Sequence, residues 1–295
     1  MQKQIITGLG EILWDLLPEG KKPGGAPANF VYHIQQLGYE SYIVSAVGED
    51  ELGHEILDWM DKKNINKDYM AISDSYPTGK VEVTLDQNGD PEYNIIEDVA
   101  WDYIPYNSKI DDLAAQTSAV CFGTLAQRNQ KSKQTIHKFL RNTSKNCIKI
   151  YDINLRQNYY DEDLIDHNLQ LSNVLKLNAE ELLILSEMFN ITGDESELLK
   201  KLQSRYDLEL IALTKGSEGS RLWTAQESSV AKPRDTRVKD TVGAGDSFTA
   251  GLVSALLKNL SLKECHANAN LLASYVCSRD GATPAIPENI LAKLN

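Results

Sequence analysis

The residues best suited to chemistry stand together in DTVGAGDSFTAG, residues 240–251. Gly243 and Gly245 bracket Ala244, and the run continues into a stretch whose apolar positions Phe248, Leu252, Val253 and Leu256 share one helical face. Glycines at the start of a helix let successive backbone N–H groups point into one concavity, and the helix dipole adds partial positive charge there. Such a nest suits an anion, and it suits the β- and γ-phosphates of a nucleotide. Asp246, next in the chain, could accept the proton of a hydroxyl attacking a γ-phosphorus. The same residues have a plainer reading, since an acid in the first turn stabilises a helix by about 0.3–1 kcal/mol. That position should also lower the carboxyl pKa and weaken it as a base. Phosphoryl transfer tolerates a weak base, because its loose transition state lets the proton leave late.

Three other groups of residues could work with this nest. Gly24 and Gly25 permit close backbone approach to a ligand, and Asn29 offers both a donor and an acceptor. Alternatively, GGAPANF is only a tight turn leading into a helix. Asn178 and Glu181 lie three apart on one helical face, as ligand groups or as an N-cap with its capping-box acid. Asp152, Asn154 and Arg156 alternate with Ile153 and Leu155, which sets three polar side chains on one face of an extended segment. Arg156 could neutralise a transferred phosphoryl group or contact its acceptor, or it could pair with Asp152 at the surface.

The elements that must hold these groups are legible in the periodicity. Short apolar runs at 5–9, 42–47, 119–122, 148–151, 174–177 and 209–213 read as largely buried strands. Amphipathic runs at 26–37, 53–63, 131–141, 179–189, 195–203, 246–258 and 263–276 read as helices. This alternation implies βαβ units around a mostly parallel sheet covered on both faces. Residues 78–96 break the rhythm: Val81, Val83 and Leu85 recur at period two, and the turn cluster Gln87-Asn88-Gly89-Asp90-Pro91 follows them. With Lys80, Glu82 and Thr84 on its other face, this hairpin reads as a half-exposed β-lid, and residues 12–17 could add a strand to it. Gly123, Asp152, Asn178 and Thr214-Lys215-Gly216 all fall just past strand ends, where open α/β sheets bind their ligands.

Composition narrows the class. The 295 residues suffice for one large α/β domain, and no linker or repeat divides them, so 1–295 reads as one domain with a lid formed mainly by 12–18 and 78–98. A net charge of −12 argues against a nucleic-acid partner, which needs a basic face. It does not exclude a mononucleotide held by amides and Mg²⁺. No apolar run approaches the roughly 20 residues of a membrane span. The first residues lead straight into a strand-like run without a secretory apolar region. Cys121, Cys147, Cys265 and Cys277 form no CxxC pair, so the expectation is a reduced, cytoplasmic protein.

Two separated segments carry a family resemblance. DTVGAGDSFTAG resembles the C-terminal signature of the PfkB, or ribokinase-like, carbohydrate kinases, and PGGAPANFVYHIQQLG (23–38) resembles their N-terminal sugar-binding signature. VGEDELG (47–53), DINLR (152–156), LNAEE (177–181) and LTKGSEGS (213–220) extend the similarity over nearly the whole chain. The resemblance implies a ribokinase-like α/β fold and an ATP-dependent sugar kinase. It implies that Asp246 is the base and that the amides of Gly243, Ala244 and Gly245 form the anion hole. It implies that Gly25 and Asn29 grip sugar hydroxyls, and that Asp15 binds two of them. Asn178 and Glu181 would then organise Mg²⁺ and the phosphates through water. Thr214, Gly216 and Gly219 would line the nucleotide pocket, with Asn270 on the adenine side. A monovalent cation such as K⁺ near Asp240, Val242 and Gly281 occurs in some members of the family.

Where ribokinases tend to have lysine inside the GGxxAN segment, this chain has Ala26 followed by Pro27. The GGAPAN form, with GEILWD (10–15) and GTLAQR (123–128), is more similar to fructokinases. The expected reaction is transfer from Mg²⁺·ATP to fructose at O6. Ribose, a keto-deoxy sugar acid or a nucleoside are the alternative acceptors, and a non-catalytic sugar- or nucleotide-binding regulator is the alternative from another class. A Rossmann dehydrogenase is a weaker alternative still, because Gly8 and Gly10 are followed by Leu13 in place of the third glycine of the fingerprint. A lid with an exposed apolar face would gain from a second subunit, so a homodimer paired through the lid is expected.

Overall fold

The computed structural model describes residues 4–17, 20–85, 91–234 and 236–294, with the side chains of 83–85 and 91–93 outside that description. The strands in chain order are β1 (Ile5–Leu9), β2 (Leu13–Leu17), β3 (Gly20–Gly24), β4 (Glu40–Gly48), β5 (Met70–Ser73), β6 (Lys80–Leu85) and β7 (Pro91–Ile95). They continue as β8 (Thr117–Phe122), β9 (Ile148–Asp152), β10 (Val174–Asn178), β11 (Leu210–Thr214), β12 (Ser220–Trp223) and β13 (Ser228–Ala231). The helices are α1 (Ala26–Gln36), α2 (Glu51–Lys62), α3 (Ser108–Gln116), α4 (Gln130–Asn142) and α5 (Glu162–Leu171). After these come α6 (Ala179–Met188), α7 (Glu195–Tyr206), α8 (Ala244–Leu257), α9 (Leu262–Cys277) and α10 (Glu288–Leu294).

A nine-stranded sheet runs in the order β13-β12-β11-β10-β9-β8-β1-β4-β5, parallel from β5 to β11 and closed by the antiparallel β12 and β13. Each apolar run expected as a strand is one. The alternation of side chains along these strands divides the core in two. Val120, Phe122, Leu175, Leu177, Ile211 and Leu213 belong to one buried cluster, and Ala119, Cys121, Ile150, Val174, Leu210 and Ala212 to the other. The second cluster also holds Phe30, Ile34, Phe248, Leu252, Val253 and Leu272, so α1, α8 and α9 cover that face. This sheet with helices on both faces, plus a smaller separate sheet, is the ribokinase-like α/β architecture.

Chain order places β4 and β5 on one side of β1 and the later strands on the other. The loops after β1 and β8 therefore diverge at the carboxyl edge and leave a crevice there. The small sheet, β3-β2-β6-β7, stands beside that crevice. It contains the expected hairpin strands and the expected addition from 12–17. It also contains β3, which GKKPG does not advertise, since lysine, proline and glycine are poor strand formers. At the edge of the sheet only one side of β3 pairs, and its proline costs little there. The turn cluster expected at 87–91 lies outside the described residues except for Pro91, which opens β7.

The lid corrects one expectation. Val81, expected on an apolar face awaiting a second subunit, is buried with Leu13, Ile95 and Trp101 in the chain's own core. Asp15 pairs in register with Val81, so this apolar face and its one carboxylate turn inward. The side chains of Val83 and Leu85 lie outside the described residues. Trp14, on the opposite face of β2, is also buried, and its indole N–H donates to the Leu52 carbonyl of α2 at 2.9 Å. Among the described residues no helix is long and apolar enough to cross a membrane, and Cys121, Cys147, Cys265 and Cys277 are all free.

VGEDELG acquires a structural role at the base of the lid. Asp50 caps α2 by accepting the Gly53 N–H at 2.8 Å, and it also accepts the Thr78 N–H at 2.8 Å and hydroxyl at 2.6 Å. The Thr78 oxygen in turn accepts the Gly48 N–H at 2.9 Å, which fixes where the chain leaves the body for β6. Partial burial opposes the charge of Asp50, but the hydroxyl and amide of Thr78 and the amide of Gly53 outweigh it and hold its pKa below the ordinary value. Asp50→Ala is expected to cost about 2 kcal/mol in urea denaturation near neutral pH, the upper range for an N-cap. Because the folded pKa is lowered, that contribution is complete above the ordinary carboxylate range and is lost as pH falls through the lowered value. The gap between variant and parent should therefore close in acid, and a gap independent of pH would contradict this account.

Candidate active site

Helix α8 begins at Ala244, two residues before the sequence reading, so Asp246 is its third residue. Gly243 caps it at φ 75°, and a Cβ there would stand 2.7 Å from the Ala282 Cα. Glycine is required at that position both by the backbone and by space. The first-turn amides of a helix have no intrahelical acceptors, which leaves them available to an anion. Of the three amides expected to form the hole, that of Ala244 donates to the Thr241 carbonyl at 3.2 Å within the turn.

Under this turn lies a pair that sequence reasoning missed. Lys176 and Asp152 are register partners on β10 and β9, and both face α8. Their Nζ–Oδ1 distance is 2.9 Å, with side chains only 10% and 5% exposed. The Lys176 Nζ stands 2.9 Å from where a Gly245 Cβ would be, so a buried cation sits directly below the glycine nest. One turn into α8, the Thr249 hydroxyl reaches the other Asp152 oxygen at 3.3 Å. Burial opposes the charge of Lys176, yet Asp152 and Glu181 more than compensate and its pKa is raised. A lysine inside the otherwise apolar VLKL was the available signal.

Asp246 reverses its expectation. Burial first, and then the charge of Asp152, raise its pKa to about 6, against the opposing effects of the Asn29 amide, Lys176 and Arg156. Desolvation and a like charge therefore overcome the helix dipole, and the carboxylate is a better base than its position in the sequence suggests. Its Oδ2 accepts the Asn29 amide at 2.8 Å, which joins the two signature segments across 217 positions. Gly25, with φ 108°, is the N-cap of α1, and a Cβ there would meet the Glu11 carbonyl oxygen at 2.5 Å.

Two further carboxylates border the same space. Asp15, expected after the first strand, lies within β2, where burial raises its pKa to about 6 while Arg156 and Lys22 oppose the rise. Glu11 was not singled out by sequence reasoning. It is 3% exposed, accepts the Ala26 N–H at 3.3 Å through Oε1, and is raised by burial to about 7. The arginine at 156 is exposed, and its charge is felt by Glu11, Asp15 and Asp246 alike. The expected single face for Asp152, Asn154 and Arg156 does not form, because Asn154 turns left-handed at φ 40° and breaks the alternation. The surface pairing of Asp152 with Arg156 is likewise replaced by the buried pairing with Lys176.

The remaining candidates line the adjoining strand ends. Asn178 and Glu181 form a capping box, at 2.8 and 2.7 Å, and the other Glu181 oxygen accepts the Leu155 N–H at 2.9 Å. Thr214 is the register partner of Asn178, and just beyond it Gly216 opens a single 3₁₀ turn that Gly219 closes. Asn270 is not a solvated surface residue: its Oδ1 accepts the Ser220 hydroxyl at 3.0 Å, and its Nδ2 is buried without a partner. Asp240, Val242 and Gly281 do come together, since Asp240 accepts the N–H groups of the other two at 3.0 Å each. Among the described residues no three His, Cys, Asp or Glu side chains converge on a metal position.

The chain resembles known proteins along almost its full length. Residues 19–289 match the pfkB family of carbohydrate kinases. A putative sugar kinase of Pyrococcus horikoshii is 29% identical, covering 94% of this chain and 91% of its own. A fructokinase of Salmonella typhimurium is 27% identical, covering 95% of each chain. The crystal structure of the Pyrococcus horikoshii sugar kinase in complex with ATP superposes with a TM-score of 0.83 at 25% identity, covering 99% of this chain and all 100% of the other.

The buried pair gives the site a measurable dependence. Lys176→Met should destabilise the fold by about 3–5 kcal/mol, since it strands a buried Asp152 charge. Adding Asp152→Asn should restore much of that loss. Equal urea midpoints for the parent and Lys176→Met would contradict the assignment.

Proposed function

The chain belongs to the pfkB family of carbohydrate kinases, and from that premise we propose that it transfers the γ-phosphoryl group of ATP to O6 of fructose. The observation that carries this reading is Asp246: a half-buried carboxylate with a raised pKa, held by Asn29 beside a glycine nest over a buried lysine. Asp246 accepts the proton of the attacking hydroxyl. The amides of the Gly243–Gly245 turn, with Lys176 beneath them, stabilise charge on the transferred group without reorganising as it shifts. Gly25, Asn29, Asp15 and Arg156 hold the sugar, and the inward apolar face of the lid keeps water from competing with it.

Thr214, Gly216, Gly219 and Asn270 take the nucleotide. Mg²⁺ bound with ATP would neutralise charge on its phosphates. With both Glu181 oxygens holding amides, Asn178 and Glu181 would hold the ion through water, which suits a cation that keeps its hydration shell. The Asp240 turn beside Val242 and Gly281 is the place for K⁺ in this reading. Pairing into a homodimer through the lid belongs to it as well, by lid surface other than the buried face that carries Val81, and a monomeric mass in light scattering at micromolar concentration would count against that part.

The acceptor is the finer part of the proposal. Fructose is favoured by GGAPAN and by the fructokinase among the relatives, and an acidic or phosphorylated sugar is disfavoured by the three carboxylates of Glu11, Asp15 and Asp246 standing near Arg156 and Lys22. Coupled ADP release across a panel of fructose, ribose, a keto-deoxy sugar acid and a nucleoside tests it, with the highest kcat/KM expected for fructose. Faster turnover of any other acceptor would replace the assignment. Asp246→Asn should lower kcat at least about a hundredfold, typical of removing a general base, while calorimetry still detects the sugar. In the unmutated protein kcat/KM should fall as pH drops below about 6, where Asp246 gains a proton.

A further inference from the structure

Two residues past the end of β1, within GEILWD, stands a buried acid to which the reading above gives no role in holding the sugar. Glu11 is 3% exposed, and only one of its carboxyl oxygens is engaged, Oε1 with the Ala26 N–H at 3.3 Å. Its Oε2 is buried without a hydrogen-bond partner. The Asn29 amide is in the same condition: its Nδ2 donates to Asp246, while its Oδ1 is buried and unpartnered. Both residues belong to one short stretch of structure, because Ala26 and Asn29 share the first turns of α1 and the Glu11 carbonyl packs against Gly25. The charges of Asp246 and Arg156 both act on Glu11, which sets it near the base.

Two orphaned acceptors beside the proposed base form a pattern that asks for donors. Buried polar atoms are ordinarily satisfied, and an acceptor left bare keeps its full desolvation penalty. A polyol supplies several neighbouring O–H donors. A carboxylated or phosphorylated ligand would bring further acceptors and negative charge toward Glu11, Asp15 and Asp246. The geometry points to Glu11 as a specificity-determining group of the acceptor site, its Oε2 receiving a hydroxyl of a neutral sugar next to the one that reacts, with Asn29 Oδ1 receiving another. This rests on the kinase reading of the same site. The acidity of Glu11, which burial raises to about 7, agrees with a carboxylate kept short of partners until a ligand arrives.

A purely structural Glu11 would only anchor Ala26, and glutamine can do that equally well. Glu11→Gln keeps the shape and the acceptor for the Ala26 N–H but replaces the free acceptor with a donor. Calorimetric titration with D-fructose, and with D-ribose as a second probe, is expected to show affinity reduced at least tenfold in Glu11→Gln. Affinity for ATP and the melting temperature should stay within error of the parent. In steady-state assays KM for the sugar should rise while kcat changes less than about threefold, and the parent's preference for the neutral sugar over its acid analogue should shrink. Unchanged sugar affinity and unchanged preference would overturn the proposal, as would a loss confined to melting temperature. Failure of the kinase reading would look different: the unmutated protein would release no ADP with any sugar, while the effect of Glu11→Gln on sugar affinity could still be read. Absence of binding by either sugar in the unmutated protein would overturn both.

Discussion

The ion pair between Asp152 and Lys176 is the constraint on which the site depends. Two strands of a sheet covered on both faces ordinarily present apolar side chains to their helices, as Val174 and Ile150 do one step earlier on each strand. At the next inward position the chain instead buries an acid and a base in register, under the first turn of α8. Neither could remain charged there alone. Together they fix a cation below the glycine nest and an anion near Asp246, and Thr249 ties the helix to the same pair. The nest, the base and the strand ends thus share one electrostatic centre.

The acidities follow from that arrangement. Glu11, Asp15 and Asp246 come from β1's end, from the lid and from α8, and burial raises all three. Arg156 is the cation that opposes the rise in each case, from an exposed position at the rim. The balance leaves a region rich in hydrogen-bond acceptors with little compensating positive charge. The α8 side has the opposite character: backbone amides, a helix N-terminus and a buried lysine, all suited to an anion.

Much of this was legible because two periodicities and two turn chemistries are local. A strand such as β1 reads from its apolar run, and a helix such as α2 reads from its amphipathic run, although that run leaves out its Asp50 cap and first two residues. The strand ends where polar residues cluster were legible for the same reason. What escaped was whatever depends on a partner. β3 is a strand only because β2 lies beside it, and the lid's apolar face turned inward because Trp101 offered a core to meet it.

The sequence by itself determined the α/β order, the two signature segments and the placement of Asp246 in the first turn of a helix. It even suggested how acidic that residue should be, from the dipole, and that suggestion had the wrong sign. Only the tertiary structure decided the acidity, because desolvation and the charge of Asp152 act through space from residues that sequence distance separates by about a hundred positions. The same holds for Lys176 below the nest, for Asn29 against Asp246, and for the unpartnered oxygen of Glu11. Motifs are strings of neighbours along the chain, whereas the energy of a charge or a buried polar atom is set by neighbours in space.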